Sequence, residues 1–274
     1  MMQTLAEFTI LFYVMGTAGY FAYLLFQKGI MQKFGLGMLA VGFVCHTAAI
    51  GVGTVAIGHI PVNNLNQTLL IASWAVVGVF LWIQYRYRLK ILGIYAAPLA
   101  ALIMIPASRF SGEPAQTKSI FDNIWFVIHI AGVFLGEAFF ALACGIGILY
   151  LVQEHAIKSK TLGFSYKRLP PLEMLDMTGY ACIAVGFILL TLGLITGFVY
   201  ARHLWGSLWS WDPKEVWSAI TWLIYAALLH QRLTIGWRGR RSAILAIIGF
   251  AAVLFTFFGV NFLLHGHHQE FTRW

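Results

Sequence analysis

The stretch Thr178-Gly-Tyr-Ala-Cys-Ile-Ala-Val-Gly-Phe-Ile-Leu-Leu-Thr-Leu-Gly-Leu-Ile-Thr-Gly-Phe-Val-Tyr200 decides the class of fold. It contains neither a charge nor a proline. At about 1.5 Å per residue, a helix of this length crosses roughly 30 Å of hydrocarbon. Runs of the same character recur along the chain, at about 8–26, 35–57, 68–85, 91–107, 124–152, 178–200, 216–231 and 242–264. Two of them, 91–107 and 216–231, fall short of the ~20 residues a crossing helix needs. Composition agrees: of 274 residues, 60% are hydrophobic and 10% charged, whereas a soluble domain carries roughly 25% charged residues. The 22 Phe, 11 Tyr, 10 Trp and 27 Gly suit packed membrane helices with aromatic belts at the interfaces. A water-soluble globule, a disordered chain and a collagen are excluded. The expected fold is an all-α integral membrane protein, a bundle of about eight transmembrane helices forming a single polytopic domain over residues 1–274.

Lys and Arg (18) outnumber Asp and Glu (10), giving a net charge of +8. In a soluble chain this would point to nucleic acid; here the cations sit in short loops, where they set topology, and no nucleic-acid partner is expected. Alternate loops divide them thirteen to five, the richer set being 28–33, 86–90, 158–168 and 232–241. By the positive-inside rule the richer loops face the cytoplasm, which places both termini on the outer, periplasmic side. A bacterial cytoplasmic membrane and a chloroplast thylakoid both satisfy this arrangement. Cys45, Cys144 and Cys182 lie inside apolar runs with no C-x-x-C spacing, so neither a disulfide framework nor a zinc site is indicated. The first apolar run has no basic leader and no small-residue cleavage pattern, and reads as a retained helix.

Nine histidines are many for so apolar a chain. On this topology His59, His129, His203, His265, His267 and His268 gather on the outer side. His46 falls mid-span, His230 near the inner end of the seventh run and His155 in an inner loop. Imidazole within a bilayer demands a hydrogen bond or a metal. For His46 either a neighbouring helix carbonyl or a metal serves. Glu137, about two turns beyond His129, needs a partner, a proton or a polar path. The most unusual segment is Trp205-Gly-Ser-Leu-Trp209-Ser-Trp211-Asp212-Pro213-Lys214-Glu215-Val-Trp217, within an outer loop read as 203–217. Four of the ten tryptophans fall in thirteen residues, more than a belt of one or two per span end explains. Such a loop offers flat faces for a planar ligand and indole N–H donors, with Arg202 and Lys214 as cations nearby. Asp212 followed by Pro213 reads as an N-cap and first helical residue, and Gly206 leaves room beside Trp205. An iron porphyrin needs this combination of axial ligands and a dry aromatic slot.

The pattern Trp205-Gly-x-x-Trp209-x-Trp211-Asp212-Pro-Lys-Glu-x-Trp217, with Trp222, Tyr225, His230, Gly236-Trp237-Arg238-Gly239 and Gly259-Val260-Asn261 after it, resembles the tryptophan-rich WWD region and C-terminal spans of CcsA (ResC-type) proteins. These belong to System II cytochrome c biogenesis, within the haem-handling membrane protein superfamily. Gly58-His59-x-Pro61-x-x-Asn64-Leu65 is similar to the family's first outer loop. The resemblance implies one half of a holocytochrome c synthase, a haem lyase. With a CcsB (ResB-type) membrane partner it would attach haem b, the transferred substrate, to the C-x-x-C-H motif of an apocytochrome c kept reduced by thiol-reducing pathway proteins. It implies that Trp205, Trp209, Trp211, Asp212 and Trp217 bind haem, and that His129 and His268 ligate its iron. No other catalytic side chain is implied. The family tail reads Gly-Leu-His-Ser-Tyr, whereas here Gly266 precedes His267-His268-Gln269-Glu270-Phe271; counting from Asn261 selects His268, with His267 and His265 as competitors. His230 maps onto an inner haem site whose second ligand is credited to the partner. Three rivals stand beside this reading: a haem transporter or chaperone without ligase activity, a b-type electron carrier, and a structural assembly subunit.

Overall fold

A computed structural model describes residues 1–62, 64–108, 123–160, 163 and 167–263. Among the described residues every regular element is helical. They are α1 (Met2–Phe26), α2 (Gly29–Ile57), α3 (Leu65–Tyr87), α4 (Gly93–Ala107, led in by a 3-10 turn, Lys90–Leu92), α5 (Ile124–Lys158), α6 (Leu172–Trp205), α7 (Pro213–Thr234) and α8 (Arg240–Leu254). Helix α8 runs on through a π-helical turn, Phe255–Gly259, into a last turn, Val260–Leu263.

Seven of these are long and apolar enough to cross a membrane, α4 with its 3-10 leader. The protein is therefore a multi-pass helical membrane protein. The eighth helix, α7, stands where the run 216–231 predicts it but falls outside this set, because Lys214, Glu215, His230 and Arg232 lie within its 22 residues. It buries Thr221, Tyr225 and Leu228 and exposes Leu223, Ala227, His230 and Leu233. Helices α5 and α6, of 35 and 34 residues, outrun their apolar stretches because their polar ends are paired. Glu154 accepts from Lys158 at 2.8 Å and from Arg240 at 3.1 Å, so α5 stays helical past residue 152.

The chain divides into two compact units, the first reaching Val127 and the second beginning at Ile128. In the first unit, α1 and α2 touch through their backbones. A Cβ on Gly19 would lie 2.7 Å from the Gly35 Cα, and one on Gly42 would meet the Tyr13 ring at 2.7 Å. Lipid provides no hydrophobic drive between helices, so close approach over small residues supplies the attraction through dispersion. His46 is fully buried, and its Nδ1 lies 3.0 Å from the Tyr13 hydroxyl; a hydrogen bond across the α1–α2 contact is what the structure gives this mid-span histidine. Asn64 caps α3 by accepting the Gln67 N–H at 2.9 Å, so the Asn64-Leu65 pair marks a helix start.

In the second unit, α5 and α6 approach over Gly132 against Gly193 and Gly136 against Gly186, where added Cβ atoms would meet backbone at 2.9 and 3.0 Å. Gly147 meets the Ala243 carbonyl of α8 in the same manner. The buried Tyr225 of α7 stacks on Phe140 of α5, ring centroids 3.5 Å apart. Together these contacts fix where the ends of α5, α6 and α7 emerge.

Candidate functional site

Helix α6 stops at Gly206, whose φ of 76° places it in the left-handed region and whose N–H closes on the Arg202 carbonyl at 3.0 Å. Glycine adopts this stop at little cost. Arg202, His203 and Trp205 belong to the last turn of α6, and Lys214 to Trp217 open α7. Only Gly206 to Asp212 lies between helices, so the tryptophan segment is shorter and more tightly held than a free loop over 203–217.

Asp212 caps α7 as its position before Pro213 predicts. Its carboxylate accepts the Lys214 N–H at 2.9 Å, while the Glu215 carboxylate accepts the Asp212 N–H at 3.3 Å. Glu215 reaches further back, accepting the Ser210 N–H at 2.9 Å and its hydroxyl at 3.1 Å. This acid, not singled out from sequence, ties the loop to the helix it precedes; its D-x-x-E spacing from Asp212 is the capping-box signal that reveals it. Replacing Asp212 with Ala is expected to lower stability by about 1 kcal/mol, typical of a lost N-cap, seen as a lower midpoint in a thermal melt of the detergent-solubilised protein.

The indoles stand on this frame. Trp209 packs on Phe198 of α6 with ring centroids 5.7 Å apart, and Trp211 meets Trp209 edge-on, also at 5.7 Å. Trp211 is 77% exposed and has a φ of 59°, a left-handed conformation that costs a non-glycine residue about 1 kcal/mol. The short span between caps holds its ring face open. Trp217 packs on Phe255 at 4.2 Å, and Thr221 and Thr256 hydroxyls lie 3.2 Å apart, joining α7 to the π turn of α8. Phe257 of the same turn meets Phe134 of α5 at 6.5 Å. The last turns of α8 therefore lie at the loop end of this unit. His265, His267 and His268 lie outside the described residues.

His129, in the second turn of α5, is held at the same level. Its Nδ1 lies 2.7 Å from the Gly193 carbonyl oxygen. A carbonyl only accepts, so Nδ1 carries the proton and Nε2 the ring's lone pair, the tautomer in which imidazole binds a metal through Nε2. The Thr196 hydroxyl donates to the same carbonyl at 3.0 Å. Gly197 makes room for the ring: a Cβ there would sit 2.7 Å from Nδ1. His129 thus rests on Gly197 and Trp209 on Phe198, successive residues of α6. Sequence reading found the histidine and the indoles but not this seat, although glycines at 186 and 193, facing Gly136 and Gly132, carry the small-residue signature of close helix packing.

Two cations flank the platform. Arg202 is exposed. Lys214, outside the seven spans, has its ammonium pKa pushed down to about 8 by burial, with the carboxylates of Asp212 and Glu137 pulling it back up. His230 is elsewhere: it lies near the far end of α7 and is exposed. His59, in the first unit, is buried with Nδ1 2.9 Å from the Ile60 carbonyl.

Fold and site together define a polytopic helical membrane protein with a tryptophan-faced platform and an oriented imidazole at one end of its second unit. The chain belongs to the cytochrome c assembly protein family, whose profile it matches over residues 5–268. It is 32% identical over 282 residues to "Cytochrome c biogenesis protein CcsA" of Guillardia theta, covering 95% of this chain and 93% of that one. It is 38% identical over 237 residues to the protein of the same name from Prochlorococcus marinus subsp. pastoris, covering 77% and 75%. Its fold is similar to that of "Cytochrome c Heme Lyase CcmF", with a TM-score of 0.70 at 14% identity; the alignment covers 97% of this chain and 47% of that longer one.

Proposed function

We propose that this chain handles haem in cytochrome c biogenesis, presenting it at the outer face of the membrane for covalent attachment to apocytochrome c. Together with a CcsB-type membrane partner it forms a cytochrome c synthase. The observation that supports this reading most is the pairing of a tautomer-fixed His129 with an indole platform on adjacent residues of α6. Family membership agrees with it. The whole chain acts as one polytopic domain, with both termini and the platform on the periplasmic side of a bacterial cytoplasmic membrane, or in the equivalent orientation in a thylakoid.

In this scheme haem b is the substrate. His129 grips the iron through Nε2, with the Gly193 carbonyl holding the ring's orientation. The tail histidine, His268, would supply a second imidazole to the iron. Trp209 and Trp211 present aromatic faces to the macrocycle and keep water from it, with Trp205 and Trp217 completing the wall. Arg202 and Lys214 neutralise propionates. Each thiol of a C-x-x-C-H segment then adds across one vinyl, its sulfur bonding the inner vinyl carbon and its hydrogen passing to the terminal carbon. The protein's contribution is positioning, which is worth on the order of 7–11 kcal/mol when reacting groups are held in near-attack geometry.

The test is to co-purify the chain with a CcsB-type partner and supply haem and a reduced C-x-x-C-H substrate. Covalent holocytochrome, detected as haem retained on a denaturing gel, is the expected product. Bound haem without thioether formation would assign the chain to haem transport or chaperoning instead. A pigment-free complex would leave only a structural role in assembly.

A further inference from the structure

The end of the second unit opposite the tryptophans carries one arrangement that the platform does not use. On α7 the exposed positions Leu223, Ala227, His230 and Thr234 form a single stripe at helical spacing. Arg232 follows His230 by two residues, roughly 200° around the helix, and so faces the other way. Its guanidinium engages Asp176 of α6 with both terminal nitrogens, at 2.9 and 2.7 Å. The two side chains are only 10% and 16% exposed. The guanidinium also lies over the Tyr180 ring, 4.3 Å from its centroid. Asp176 Oδ1 accepts in addition the Gly239 N–H at 2.8 Å, and Ser242 lies 3.5 Å from Arg232. One carboxylate therefore joins α6, the last turns of α7 and the start of α8. A bidentate fork fixes rotation as well as distance, which a single ammonium contact does not.

We propose that the Asp176–Arg232 clamp is a positioning device for His230: by locking α7 about its axis it holds that imidazole pointing out of the unit. There it meets a haem shared with the partner rather than turning into the bundle. The inference rests on His230 serving as an inner haem ligand, and adds what aims it. Asp176 and Arg232 touch no haem.

The experiment uses the complex with its CcsB-type partner and compares Asp176→Asn, Arg232→Lys and His230→Ala by optical and electron paramagnetic resonance spectra. Asn keeps an acceptor for Gly239 but removes the charge, and Lys keeps the charge but removes the fork. Both are expected to lose most of the low-spin inner-haem signal to high-spin forms. Added imidazole should restore it, because only the aim of an intact ligand is lost. Haem dependent on His129 should be unchanged, which shows that the unit remains folded. If His230→Ala removes the inner signal and the clamp variants keep it, the clamp proposal fails while the ligand assignment stands. If His230→Ala itself leaves the signal intact, both fall. Loss of the His129-dependent haem as well, in both clamp variants, would show a general structural brace and overturn the positioning role.

Discussion

Replacing His129 with Ala is expected to strip haem from the platform and abolish holocytochrome formation, while the protein still inserts and assembles with its partner. Loss of a partner that merely orients a ligand costs about 10–100-fold in metal affinity; loss of the ligand itself should exceed this, so haem affinity should fall by more than about 100-fold and the purified complex should carry little haem. The assay is the pyridine haemochrome of the purified complex beside its yield. Unchanged haem at normal yield would remove His129 from the iron and with it the reading of the platform. Exogenous imidazole should recover part of the loss, since the indole platform remains and only the nitrogen is missing.

Gly197→Ala is expected to approach the same outcome without touching the ligand. A Cβ at 2.7 Å from His129 Nδ1 and 2.8 Å from Cε1 cannot coexist with the ring where it stands. The imidazole must turn, and the hydrogen bond to Gly193 at 2.7 Å is lost. Haem affinity should drop about 10–100-fold, the range for losing an orienting partner. The direction is diagnostic because Ala in a helix interior is favoured over Gly by about 1 kcal/mol. A variant that melts no earlier than the parent yet binds haem poorly shows that the glycine is there for the ring. Equal haem affinity in the variant would mean that the imidazole works in another orientation.

Much of this architecture is legible in the amino-acid order, and the exceptions have physical causes. The apolar runs locate all eight helices of the described residues, and Asp212-Pro213 marks the start of α7, because both signals are local. The ends of α5 and α6 are misplaced from hydropathy alone, since residues such as Glu154 and Asp176 continue the helices with their charges paired, to Lys158 and Arg240 and to Arg232. Helix α7 reads as a short span, yet its charges and one-sided burial mark it as a helix that depends on its neighbours. At the site, His129 and the indoles stand out by residue type, whereas the Gly193 carbonyl that orients the histidine is a backbone atom, invisible to any search by residue type. Glu215 sits within a recognisable capping spacing but was overshadowed by the tryptophans around it. The tail histidine proposed as the second iron ligand, His268, comes from the resemblance alone, since it lies outside the described residues.

The weak apolarity of α7 bears on how the chain reaches its membrane. A segment carrying Lys214, Glu215, His230 and Arg232 would partition poorly from the translocon into lipid by itself. Its neighbours α6 and α8 meet the requirement unaided, so α7 is carried in between them as a passenger. Its retention then depends on contacts made after insertion: the Tyr225–Phe140 stack, the Thr221–Thr256 pair and the Asp176–Arg232 clamp.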